Sequence, residues 1–138
     1  MMKIRLNCLA TILLLTVSAF RLGAQNNPGE TQTPAEMATT VAEYLINYLD
    51  LDDRQAFQIE VKLQEVYPQM IEEIEAVRRS GANSAESYDK VYDKWYAQLD
   101  STYQQVFTDK QWARYLKSPY GREKKARDKR IRKRSGVQ

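Results

Sequence analysis

Large apolar residues recur along this chain at steps of three and four. Met37, Val41, Tyr44, Leu45 and Tyr48 make a first stripe. Ile59, Leu63, Val66, Met70, Ile74 and Val77 make a second, with steps of 4, 3, 4, 4 and 3. Tyr88, Tyr92, Trp95, Leu99, Thr102 and Val106 make a third, widened by Val91, Tyr96 and Tyr103. A period near 3.6 is the mark of helices with one buried face, and no strand-like alternation of useful length competes with it. The pattern predicts an all-α fold of four helices, in which the long second and third form an antiparallel hairpin flanked by shorter ones.

The polar residues between the stripes supply starts and stops. Thr33 suits a cap, Pro34 the first helical position, and Glu36 completes a capping box. Asp52 with Gln55 repeats that arrangement for the second helix, and Leu51 ahead of the cap can pack on Ala56 as a weak staple. Pro68 lies inside the second stripe. Its missing N–H and its ring against the Gln64 carbonyl predict a bend or a restart. Arg78 and Arg79, then Gly81, mark the helix end. Asn83 and Glu86 open the third helix. Thr108 and Gln111 open the fourth, with Phe107 placed to staple onto Trp112, and Ser118–Gly121, "SPYG", breaks it after Leu116.

Two of these starts share one pattern. "LDDRQA" (51–56) and "FTDKQW" (107–112) both read large apolar, short oxygen-bearing, two charged, Gln, apolar. In a small all-helical chain this resembles the LTxxQ family of periplasmic chaperones and stress sensors, the Spy and CpxP type. Phe107 stands for the family's first Leu and Asp52 for the first motif's Thr. The resemblance covers roughly residues 33–117. It implies a thin, curved, antiparallel homodimer whose concave face binds unfolded or partly folded clients without ATP. The motif residues Leu51, Asp52, Gln55, Phe107, Thr108, Gln111 and Trp112 are expected to serve the fold. Superfamily relatives sense metals through histidines, and this sequence has none. Pro68 and a strongly basic C-terminus depart from the pattern.

Composition sets the domain plan. The chain has 138 residues, one domain by default. Lys3 and Arg5, the apolar run Leu9–Phe20 and the small residues after it have the outline of a secretory signal, shorter than the roughly 20 apolar residues of a spanning helix. The plan is a signal over 1–24, cut after Ala24 or after Ala19, a disordered lead-in over 25–32, a helical domain over 33–117 and a basic tail over 118–138. The expected place is the periplasm or outside the cell. Cys8, the one cysteine, would leave with the signal. Without Cys or His there is no thiol nucleophile, no Ser–His pair and no soft or imidazole ligand. No catalytic residue, metal or cofactor is expected. The acids Glu72, Glu73 and Glu75, and Asp50, Asp52 and Asp53, lack the glycine turn and distal Glu of a calcium loop and read as solvated faces.

Charge divides sharply. Residues 25–116 hold 16 acids and 8 bases, net −8; residues 117–138 hold 10 bases and 2 acids, net +8. Arg122, Lys124, Lys125, Arg127, Lys129, Arg130, Arg132, Lys133 and Arg134 make the tail a candidate contact for an anionic membrane surface, for an acidic partner, or for the acidic body itself. Nucleic acid is not expected, since no aromatic residue lies between Arg122 and Arg134. Among the many aromatics, Tyr67, Tyr96 and Tyr103 fall off the main seams and are the expected exposed contacts for clients. Two functions follow: an ATP-independent holdase or stress adaptor, or an interaction module that associates with anionic surfaces through its tail.

Overall fold

Thr33 starts the first helix with the expected chemistry. Its hydroxyl accepts from the Glu36 N–H at 3.2 Å, and Glu36 Oε2 accepts from the Thr33 N–H at 2.7 Å. That hydrogen bond holds the Glu36 carboxyl below the usual range. In the computed structural model, which describes residues 31–136, five helices follow: α1 Pro34–Leu49, α2 Asp53–Ser80, α3 Ala85–Val106, α4 Asp109–Tyr115 and α5 Pro119–Arg134. The fold is all-α. The expected signal over 1–24 and most of the lead-in lie outside the described residues.

α1 runs antiparallel to α2. Ala38, Val41, Ala42, Leu45 and Leu49 turn inward from one, and Ile59, Leu63, Val66, Tyr67 and Met70 from the other. α1 ends on Asp50 in the left-handed region, φ 53°, where its N–H reaches the Ile46 carbonyl. α2 does not restart at Pro68. It runs as one helix of 28 residues and stops at Gly81, φ 76°, a conformation glycine adopts without a Cβ penalty. Pro68 is exposed there, so its ring meets solvent on the outer side.

α3 returns antiparallel along α2, tied by Glu73. This carboxylate accepts from Lys94 and, at 2.7 Å, from the buried Trp95 indole N–H. The Lys94 ammonium holds the Glu73 carboxyl below its ordinary range. The α3 cap is Ser84, not Asn83: its hydroxyl accepts from the Ser87 N–H at 3.2 Å. The buried face is also rotated from the expected one. Val91, Trp95, Leu99 and Tyr103 are buried, and Tyr88, Tyr92, Thr102 and Val106 only partly so.

The count of four helices fails at the tail. Ser118 caps a fifth, with Pro119 at its first position; its hydroxyl accepts from the Gly121 N–H at 3.1 Å and donates to the Tyr115 carbonyl at 2.6 Å. α5 packs antiparallel on α3 through charge rather than apolar area. Asp93 and Asp100 of α3 and Arg127 of α5 are all under a tenth exposed. The domain therefore continues past residue 117.

Candidate functional site

The two repeated motifs meet. Gln55 and Gln111, 56 positions apart, exchange side-chain hydrogen bonds: Gln55 Nε2 donates to Gln111 Oε1 at 2.7 Å, and Gln111 Nε2 donates to Gln55 Oε1 at 3.1 Å. Each oxygen also accepts the N–H of its own cap residue, Asp52 at 3.1 Å and Thr108 at 2.9 Å. Each nitrogen also donates to the end of a helix belonging to the other motif. Gln55 reaches the Val106 carbonyl of α3 at 2.8 Å, and Gln111 the Leu49 carbonyl of α1 at 3.4 Å. An amide has two donors and two acceptor lone pairs, and all are engaged in both. Arg114 adds an outer tie to Asp50 at 2.7 Å and a hydrogen bond to the Tyr48 carbonyl. Asp52, Gln55, Thr108 and Gln111 thus cap and tie helix ends. The Phe107 ring stacks on Tyr103 at 5.3 Å and tilts against Tyr115 at 5.9 Å, and Trp112 stacks on Tyr115 at 5.1 Å.

Behind the clasp, α5 closes over a cavity of about 310 Å³ into which Tyr67, Tyr92, Tyr96, Tyr103, Tyr115 and Tyr120 converge. Burial pushes the Tyr67 and Tyr103 phenols up, well up for Tyr103. Burial first, and then the Asp100 carboxylate, do the same to Tyr115, whose hydroxyl donates to Asp100 Oδ1 at 3.3 Å. The cavity edge is ionic. Arg127 pairs with Asp100 and lies over the Tyr96 ring at 5.0 Å. Arg130 donates to Asp93 Oδ1 at 2.7 Å, and Arg134 to Asp93 Oδ2. Lys124 reaches Asp128 at 2.6 Å and Asp100 at 3.8 Å. Asp93 is the main reason the Arg130 guanidinium holds its proton above the ordinary range.

The expected client contacts divide. Tyr67 and Tyr103 are 6 % and 4 % exposed, so they are core and not contacts; only Tyr96 is half-buried. They leave the apolar seams of a two-helix picture because they face the space that α5 closes. Among the described residues the exposed large apolar ones are instead Phe57, 66 % exposed, and Val61, 50 %. They stand one turn apart on α2, on the side opposite Ile59, Leu63 and Val66. Sequence reasoning passed over both because the regular stripe beside them absorbed the helix. The signal was their apolar character at a spacing of four outside that stripe.

The tail bases divide as well. Lys124, Arg127, Arg130 and Arg134 face α3, whereas Arg122, Lys125, Lys129, Arg132 and Lys133 are exposed. Among the described residues no group of three or more His, Cys, Asp or Glu is placed to hold a metal ion, and no helix is long and apolar enough to cross a membrane. No protein-family model, curated protein or solved structure matches the chain.

Proposed function

We propose that this protein is an ATP-independent, holdase-like binder of unfolded or partly folded proteins, exported to the periplasm, and that it works as a homodimer. The observation that carries the reading is the apolar ridge of Phe57 and Val61 on the outer side of the longest helix. Isolated exposed apolar residues are ordinary. Two a turn apart, one a phenylalanine two-thirds exposed, give an unfolded segment a ring and a branched side chain to cover. The clasp supports the reading by making both LTxxQ-like motifs parts of one joint, so that α2 and α3 are held as a rigid bar behind the ridge. Clients dock reversibly, with no nucleotide or metal in the cycle.

The test is a turbidity assay in which the chain from Gln25 delays aggregation of a thermally unfolding client at near-equimolar amounts. F57S/V61S should lose most of that delay with an unchanged thermal midpoint. Equal suppression by the variant removes the ridge from the reading, and no suppression by the wild type removes the holdase. Sedimentation at micromolar concentration checks the dimer. The second reading, an interaction module that meets anionic surfaces through its tail, is favoured by one observation: five bases of α5 point away from the body.

A further inference from the structure

α5 carries nine bases, and the fold sorts them. At 3.6 residues per turn, Lys124, Arg127, Arg130 and Arg134 fall on one side, where α3 answers them with Asp89, Asp93 and Asp100. Arg122, Lys125, Lys129, Arg132 and Lys133 fall within an arc of about 100° on the opposite side. All five are exposed, and none makes an ion pair among the described residues. Neither acid of the helix lies in that arc. Asp128 is paired with Lys124, and Glu123 sits at the cavity edge.

We propose that this outer face of α5 lies flat against an anionic lipid surface; the inference rests on the second reading above and assigns it to five residues. The bases form a ridge about 17 Å long at 1.5 Å per residue. They are flexible side chains with no groove between them, which suits an array of mobile headgroups. The arc holds no aromatic ring on which a nucleobase could stack, since Tyr120 is turned inward against Tyr44, with ring centroids 5.2 Å apart. Ile131, the one large aliphatic residue of the helix, is half-buried and, like Tyr120, lies on the inward side, so the helix rests on the surface and does not insert. Residues 25–116, net −8, are repelled by the same surface. Attraction on one face and repulsion from the remainder fix a single orientation. The contact fades beyond about 8 Å at physiological salt.

The experiment is co-sedimentation of the chain from Gln25, which contains the compact unit 31–138, with vesicles of equal parts phosphatidylglycerol and phosphatidylcholine. Pure phosphatidylcholine vesicles are the neutral arm. Two variants remove three exposed bases each: K125S/K129S/K133S on α5, and R54S/R79S/K110S elsewhere. The wild type should bind the anionic vesicles and leave the neutral ones, more weakly as salt rises. The α5 variant should bind about a hundredfold more weakly at low salt, and the other variant should keep most of its affinity. Equal losses in both variants would reduce the effect to net charge and overturn the assignment. Binding by the wild type that the α5 variant retains would overturn the face while leaving an association through the tail in place. No binding by the wild type overturns both. Tighter binding of single-stranded DNA than of vesicles, at equal phosphate, would overturn the lipid assignment.

Discussion

Gln55 and Gln111 are each other's hydrogen-bond partner in both directions, at 2.7 and 3.1 Å, while each seals a helix end that belongs to the other's motif. Replacing either leaves a part-buried amide and two helix-end groups without partners. Gln55→Ala and Gln111→Ala should each cost about 1–3 kcal/mol. The double variant should cost less than the sum by about 1 kcal/mol, because either change already breaks the shared pair. Urea unfolding of the four proteins measures this, and strict additivity would show that the two amides do not act together. Thr108→Ala, which removes a cap only, should cost about 1 kcal/mol.

Gly121 permits α5 to leave α4 at so close an approach. A Cβ there would fall on the Tyr115 carbonyl oxygen and 2.5 Å from Leu116 Cα, and backbone cannot swing aside as a side chain can. Gly121→Ala should lower stability by on the order of 3 kcal/mol. Limited trypsin digestion should then cut α5 early. A variant with wild-type midpoint and protease resistance would mean that the approach is looser than described.

Breaking the Asp100–Arg127 pair should be worse than replacing it. Both side chains are buried. Arg127→Met strands a carboxylate and should cost about 3 kcal/mol, the lower end of the usual range, because Lys124 stands 3.8 Å away. Asp100→Leu together with Arg127→Met should recover most of that loss. Thermal melts of the single and double variants decide it; a double variant as weak as the single would show that the charge itself is required.

Alkaline conditions should loosen the fold. Tyr67, Tyr103 and Tyr115 hold their phenolic protons well above the ordinary value in the folded chain, chiefly through burial. An unfolded chain releases them near pH 10. Stability should therefore be level below about pH 10 and fall above it, as the unfolded state sheds protons that the folded state keeps. Tyrosinate absorbance should rise in two stages, the exposed rings first and the buried ones only with loss of helix. A single simple titration with the helices intact would contradict the burial of these three rings.

Much of the fold is legible locally. The caps at Thr33, Asp52 and Thr108 follow from the reach of one side chain over three residues, and the α1 and α2 stripes from helical periodicity. What was misread depends on distant partners. Asp93 and Asp100 look like solvated acids until bases 27 to 41 positions later are set against them. That docking turns the α3 face and buries Tyr103. Ser118–Pro119 carries the same cap-and-proline signal as Thr33–Pro34, yet the polar run after it obscured a helix start. The repeat of Gln55 and Gln111 was visible, but their pairing was not, since nothing local to either motif points at the other.

The crossed clasp also sets an order in time. A chain is made from its N-terminus. When Val106 has emerged, α1, α2 and α3 have all their residues, yet the carbonyl of Leu49 still awaits Gln111 and half of the Gln55 amide has no partner. The ring of Tyr115, the Gly121 crossing and the charged strap that closes over the tyrosines arrive later still. The first three quarters of the molecule must wait, unlatched, for the last quarter. Until it comes, the newborn chain leaves open the amide and helix-end groups that the finished clasp covers.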